Sequence, residues 1–498
     1  MSQLPLKLGA YSARSIIAEA QRCVNLYTEP NPEDAEAPTT HYPTPGLTVL
    51  ASGGGMGGRG AYTASNGVLY IVKGTGVYRV TQGWDLVQLG TIPERNTPVG
   101  MVDDDTQVWL VDGTPVGYTI DLVTDNFQPI ADPTYDGADT AQFLDGYVIF
   151  NRPNSQQFYC TNLNSTAFDP LFFASKTGAQ DLLASLIVVH REIWLVGTSI
   201  STEVWYDAGA SLFPFQIFPG VFQQHGTPAK YSLATHDMSV FFLAQSEQGK
   251  AYVVEGVNYK LSRISTFAIE NELRTYNTLS DAIGFCYKQA GHVFYVLTFP
   301  SANKTWVFDK TAGQWHERVY IDNDGQENRW RGMCYALAYG TDVTLDWQTG
   351  DLLKIDLDNY TDAGQPIVRR RGFPHLVNDG KRVHYASFIA DMECGEYNPF
   401  VGPLALASSS LYCSTSALAS SAPFSNADPF VSLRWSDDRG RTWGNPVQQT
   451  IGAQGEYLTQ PQWNRLGMAR DRVFELFWSV PVKTALNGAF VESQPFGQ

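Results

Sequence analysis

A hairpin that recurs at a nearly fixed interval constrains this chain more than any other feature. The first copy is Val68–Val80, VLYIVKGTGVYRV. Leu69, Tyr70, Ile71 and Val72 fit a pleated, buried surface. Gly74 and Gly76 supply the backbone freedom of a turn, and Val77, Tyr78 and Val80 resume the strand. One hairpin is marginal by itself, because two strands cannot bury both faces. The chain repeats it: Val108–Val111 with Val116–Ile120, Tyr147–Phe150 with Phe158 and Tyr159, Ile193–Val196 with Val204–Tyr206, Phe241–Ala244 with Ala251–Val254, and Phe294–Leu297 with Trp306–Phe308. A weaker copy pairs Val343–Leu345 with Leu352–Leu357. Successive starts lie 39, 39, 46, 48, 53 and 49 residues apart.

That interval leaves room for two further strands per copy, the pattern of β-propeller blades. An ordinary β-sandwich also spaces its strands regularly. The constant order of strand, turn and strand, with an aromatic residue in nearly every copy, favours the propeller. Six blades are expected. Seven is the alternative, since the last hairpin can instead complete the first blade.

With 498 residues the chain can bury more than one core. Three segments are expected: an N-terminal arm and linker over 1–58, the propeller over 59–362, and a C-terminal β-sandwich-like platform over 363–498, against which the arm can pack. Within the arm, Ser15–Cys23 reads as a short helix, and Glu29–Pro45, with its five prolines, as an extended segment suited to gripping a neighbour. Leu404–Ala422 is Ser- and Ala-rich and reads as a long loop within the platform.

The net charge of −16 argues against a protein whose task is tight nucleic-acid binding, which needs clustered Lys and Arg. It is compatible with a surface past which DNA slides. Between Arg95 and Arg152 there is no Lys or Arg, and the Asp residues there, Asp103, Asp104 and Asp105 among them, fall mostly where turns are expected. The most basic stretch is Arg369, Arg370 and Arg371 with Lys381 and Arg382. It reads either as a solvated strand end or as a contact for DNA or an acidic neighbouring subunit.

Chemistry-bearing motifs are sparse. The six cysteines are scattered, with no C-x-x-C pair, and read as buried thiols of a protein made in a reducing compartment. Gly53, Gly55 and Gly58 satisfy G-x-G-x-x-G, but a strand pattern follows where a dinucleotide site needs a helix. Asp322–Gly325 resembles the start of a calcium loop, without the later ligands. No H-E-x-x-H, G-x-S-x-G or catalytic carboxylate frame occurs. No catalytic, cofactor or metal residues are assigned, and no enzyme is expected. Neither a signal peptide nor an apolar run of membrane-spanning length is evident.

The sharpest local motif is Ser436-Asp437-Asp438-Arg439-Gly440-Arg441-Thr442-Trp443, which matches the Asp-box S-x-D-x-G-x-T-W of sialidases and other propellers. Its mechanics are those of a turn: Asp438 accepts N–H bonds, Gly440 permits positive φ, and Trp443 packs beneath. A sialidase would also need an Arg triad and a Tyr–Glu nucleophile pair. A glycan-binding or glycan-cleaving propeller is therefore the alternative reading.

Taken in order, Arg22–Glu29 (RCVNLYTE), Pro43–Leu47, Arg59–Gly60, the hairpins, Arg434–Trp443 and Arg465–Glu475 resemble the packaged-DNA stabilisation proteins of short-tailed bacteriophages, the tail hub or nozzle family. The resemblance spans nearly the whole chain. Arg439 stands where many relatives have Gly. The resemblance implies a structural virion protein made in the host cytoplasm and forming a homohexameric ring below the portal and its adaptor. It further implies closure of the genome channel, DNA conduction at ejection, and contacts with tail fibres or spikes and with a needle or plug. A tail fibre or baseplate adaptor is a further alternative.

Overall fold

The computed structural model describes residues 2–4, 9–12, 14, 20–35, 37–210, 212–248, 251–395 and 429–495. Within them the first hairpin pairs Leu69–Lys73 with Gly76–Val80, Lys73 standing opposite Gly76. Strands Gly58–Thr63 and Leu86–Thr91 flank the pair to make a four-stranded antiparallel sheet. Leu69 to Val72 are all at 0% exposure, and the reason is visible in their neighbours. Tyr70 and Val72 pack with Val108, Leu110 and Ile120 of the following sheet. Leu69 and Ile71 pack on the other side with Val343, Leu345 and Leu352. A strand covered on both faces needs apolar residues at every position, so the run does not alternate.

Five of the seven hairpins form the two middle strands of such a sheet, and the sixth and seventh pair in the same way within larger sheets. The innermost strands are Gly58–Thr63, Gly100–Asp103, Ala141–Leu144, Leu183–Val189, Ala234–His236, Ile283–Gln289 and Gly332–Ala338. Each touches the next, and the last touches the first, so the sheets close into a propeller. Among the described residues seven hairpins with their inner strands take part, not the favoured six. The first sheet is complete without the seventh hairpin. That hairpin instead takes Gly332–Ala338 as its inner strand and Gly46–Ala51, from ahead of the first blade, as its outer one.

Part of the acidic stretch between Arg95 and Arg152 serves turns, while Asp112, Asp125 and Asp139 pair with Arg59, Arg79 and Lys230. Asp104 accepts from the N–H groups of Thr106 and Gln107, Asp121 from those of Val123 and Thr124, and Asp132 from that of Thr134.

The chain divides into two compact units: Thr48–Gly313 with Asn328–Ile355, the propeller, and Met1–Leu47 with Gln314–Glu327 and Asp356–Gln498. The boundaries expected from sequence, 58/59 and 362/363, differ from this division, which groups Gln314–Glu327 with the second unit.

The second unit is a sandwich. One sheet runs Gln462–Ala469, Val383–Met392, Leu486–Pro495, Thr39–Pro43, Leu26–Pro30. The other includes, in order, Cys23–Val24, Arg369–Gly372, Asp471–Trp478, Phe430–Ser436 and Val447–Thr450. Phe388 of the first lies 5.0 Å from Phe474 of the second, ring centre to ring centre, and 5.8 Å from Trp463. The arm read as suited to gripping a neighbour thus packs with the platform strands of its own chain, the arrangement the sequence left open. Leu26–Pro30 and Thr39–Pro43 form a hairpin, Leu26 opposite Pro43, inside the unit's own sheet. The Ser15–Cys23 helix fails where it is described, since Ala20–Gln21 pairs with Tyr11–Ser12 and Cys23–Val24 is a strand. Residues 15–19 and the Leu404–Ala422 loop lie outside the described residues.

Candidate functional site

Of the five basic residues singled out in sequence, two point inward. Arg369–Gly372 is a central strand with Cys23–Val24 on one side and Asp471–Trp478 on the other. Side chains alternate along it, so Arg369 and Arg371 share a face and both are at 0% exposure. Arg369 donates to the carbonyls of Val480 (3.1 Å) and Tyr360 (3.4 Å). Arg371 donates to the Gly9 carbonyl (3.2 Å) and to Gln21 Oε1 (2.9 Å). Burial pushes the Arg369 guanidinium down to about 10, with Asp362 opposing. Neither residue can meet DNA or a neighbouring subunit from the folded unit, which corrects that reading for them. Lys381 and Arg382 are exposed.

Arg370, on the opposite face, belongs to a charge network. It contacts Glu327 at 2.8 Å and Glu475 at 3.4 Å. Glu475 also takes Arg434 at 2.6 Å. Glu327 takes Arg22 at 3.1 Å, and Arg22 reaches Glu317 at 2.8 Å. Burial disfavours the Arg22 charge, yet Glu317 and Glu327 outweigh it and hold its pKa above the ordinary arginine value. Six side chains from the three segments of this unit are joined in one line. Asn25 ties the same segments through backbone. Its amide donates to the carbonyls of Val319 (2.9 Å) and Val368 (2.8 Å), and its oxygen accepts from Val319 N–H (2.9 Å). With φ of 53°, it occupies the left-handed region that asparagine tolerates better than most residues.

The Asp-box forms a closed turn. Asp438 accepts from the N–H groups of Arg441 (3.0 Å) and Thr442 (2.8 Å) and from the hydroxyls of Ser436 (2.7 Å) and Thr442 (2.6 Å). These bonds, led by the Thr442 hydroxyl, hold its carboxyl well below the usual range. Arg439 and Gly440 have φ of 68° and 87°, which explains why glycine suits both positions. Arg439 recovers a partner in Asp471 at 2.9 Å. Asp437 is held by Arg472, whose buried guanidinium also lies over Tyr385 at 4.7 Å. Trp443 is half-buried, with Arg434 over its ring at 4.8 Å. Every carboxylate oxygen of Asp438 is occupied by its own turn, so this is a structural element. Among the described residues no group of three His, Cys, Asp or Glu could hold a metal.

A family model described as bacteriophage P22 Gp10, beta-propeller, matches residues 2–359, and a second, described as bacteriophage P22 Gp10, beta-sandwich, matches 400–494. The chain belongs to the bacteriophage P22 Gp10 family. It is accordingly a phage tail structural protein with a propeller and a C-terminal sandwich. Among curated proteins nothing matches. Solved structures that this chain matches include the N-terminal domain of Nup159 (10% identity, 67% of this chain and 98% of that one, TM-score 0.39). Others are the WD40 propeller of Doa1 (11%, 62% and 96%, TM-score 0.39) and the Neurospora crassa Pan2 WD40 domain (10%, 63% and 95%, TM-score 0.41). At these scores the likeness carries no functional argument. The motifs that led to the Gp10 family have a structural logic: Arg22, Arg434 and Glu475 all come from them and meet in the charge network. Glu317 and Glu327 come from none of them, and no local pattern marks them.

Proposed function

We propose that six copies of this chain form a ring in the phage tail below the portal and its adaptor. This nozzle retains the packaged genome and conducts it at ejection. Membership of the Gp10 family across both the propeller and the sandwich is the observation that carries the reading. The charge balance fits it: a ring of six would bear roughly −100 formal charges, a wall that repels a passing polyanion. Spikes or fibres and a needle or plug are the further partners. Of the basic residues, exposed Lys381 and Arg382 are those left to brake DNA or meet an acidic neighbour. Mass measurement of the purified chain, alone and with the portal–adaptor complex, tests the proposal. Six copies per complex, on the tail axis in particle images, is the expected result; a chain that stays monomeric and joins no such complex overturns it.

A further inference from the structure

The Gly-rich stretch Ser52–Gly58 has no part in the function so far. In the propeller its last four residues, Gly55–Gly58, form one wall of a cavity of about 490 Å³, completed in part by Arg59, Arg95, Arg329 and Trp347. The wall is fixed in place. Gly53 N–H donates to Asp351 (2.6 Å) and Gly55 N–H to the Thr349 carbonyl (3.1 Å). A Cβ on Gly57 would lie 2.2 Å from the Trp347 carbonyl oxygen, so only glycine permits this approach.

The charges lining the cavity are three arginines and a single carboxylate, Glu94, in a chain where acids outnumber bases. Arg59 is fully engaged: it bonds the carbonyls of Thr97, Gly74 and Pro93 and pairs with Asp112 at 3.1 Å. Arg95 and Arg329 differ, since neither guanidinium makes an ion pair among the described residues. Arg329 is half-buried, its guanidinium carbon 4.0 Å from the centre of the Trp347 ring. Burial pushes it down to about 10, with Asp281 and Asp346 offsetting only part. A cation so withdrawn from water, resting on an aromatic face, keeps N–H donors free for an oxyanion. The volume suits a small organic molecule better than a bare ion.

We propose that this cavity binds a small phosphate ester, with Arg95 and Arg329 holding the phosphate and Trp347 fixing Arg329. The test is calorimetric titration of the full-length protein, at low salt, with adenosine monophosphate, pyrophosphate and citrate. Adenosine monophosphate is expected to bind, and Arg95→Gln and Arg329→Gln each to weaken it at least tenfold with the melting temperature unchanged. If Arg329→Gln melts early, exposed Arg95→Gln decides alone. Absence of binding by both phosphate probes at millimolar concentration, or affinity unchanged in Arg95→Gln, overturns the proposal. Citrate binding more tightly than either phosphate probe overturns the phosphate assignment.

Discussion

Replacing Glu475 by glutamine should destabilise the sandwich unit more than any single change on its surface. The Glu475 side chain is 3% exposed and faces Arg434 at 2.6 Å and Arg370 at 3.4 Å. Removing one member of a buried pair typically costs 3–5 kcal/mol, because the partner charge is left uncompensated. Here the partners are 26% and 16% exposed, and Arg370 retains Glu327. Water and that second carboxylate relieve part of the penalty, which brings the expected loss to about 2–3 kcal/mol. For a unit of roughly 200 residues this lowers the melting temperature by about 4–12 °C. Scanning calorimetry reads it directly. A double-mutant cycle with Arg434→Met separates the pair from the rest, and a coupling above about 1 kcal/mol is expected. If E475Q melts within a degree of the wild type, the network contributes nothing and the argument for it is wrong.

Two further perturbations probe the same unit. Asn25→Ala strands the carbonyls of Val319 and Val368 and the Val319 N–H, and puts alanine at a φ of 53°. A loss of about 3 kcal/mol or more in urea unfolding is expected, and a loss below about 1 kcal/mol would sink the keystone role. His41 is wholly buried, neither ring nitrogen has a hydrogen-bond partner among the described residues, and burial, then Arg371, holds its pKa well below 6.5. Its neutral form therefore contributes stability that is full above the unfolded pKa of about 6.5 and is lost as pH falls, by up to about 1.4 kcal/mol per pH unit. Between pH 6.5 and 5 the wild type should lose stability that His41→Leu does not; parallel curves for the two proteins would contradict this.

The middle strands of every blade were legible because they are covered on both faces, which leaves dense apolar runs closed by Gly or Asp turns. Inner strands such as Ala141–Leu144 are four residues of mixed character, and outer ones such as Phe215–Gln223 are exposed or half-exposed after a buried first residue, with no strict alternation. Neither gives a comparable signal. Seven blades is only the alternative in sequence because the seventh outer strand, Gly46–Ala51, precedes the first blade in the chain and reads as linker. The basic run misled for a different reason. Composition marked Arg369 and Arg371 as surface, whereas acceptors on Gly9, Gln21, Tyr360 and Val480, distant in sequence, draw both inside. Of the Asp-box, the turn bonds were readable from residue types, but the Arg472–Asp437 and Arg439–Asp471 anchors were not.

The order of the segments also bears on assembly. The seventh blade cannot pair its outer strand until residues near 355 exist, although that strand is among the first made. The sandwich likewise takes strands from 23–43 and from 369–495. Both units therefore depend on contacts across most of the chain, and such long-range pairing is slow because loop closure must precede its gain. Until then the apolar faces of Leu26–Pro30 and Gly46–Ala51 lack their final partners, and unpaired strands invite the wrong ones. A chain cut short of residues near 355 completes neither unit, and one cut between there and 369 can complete the propeller alone.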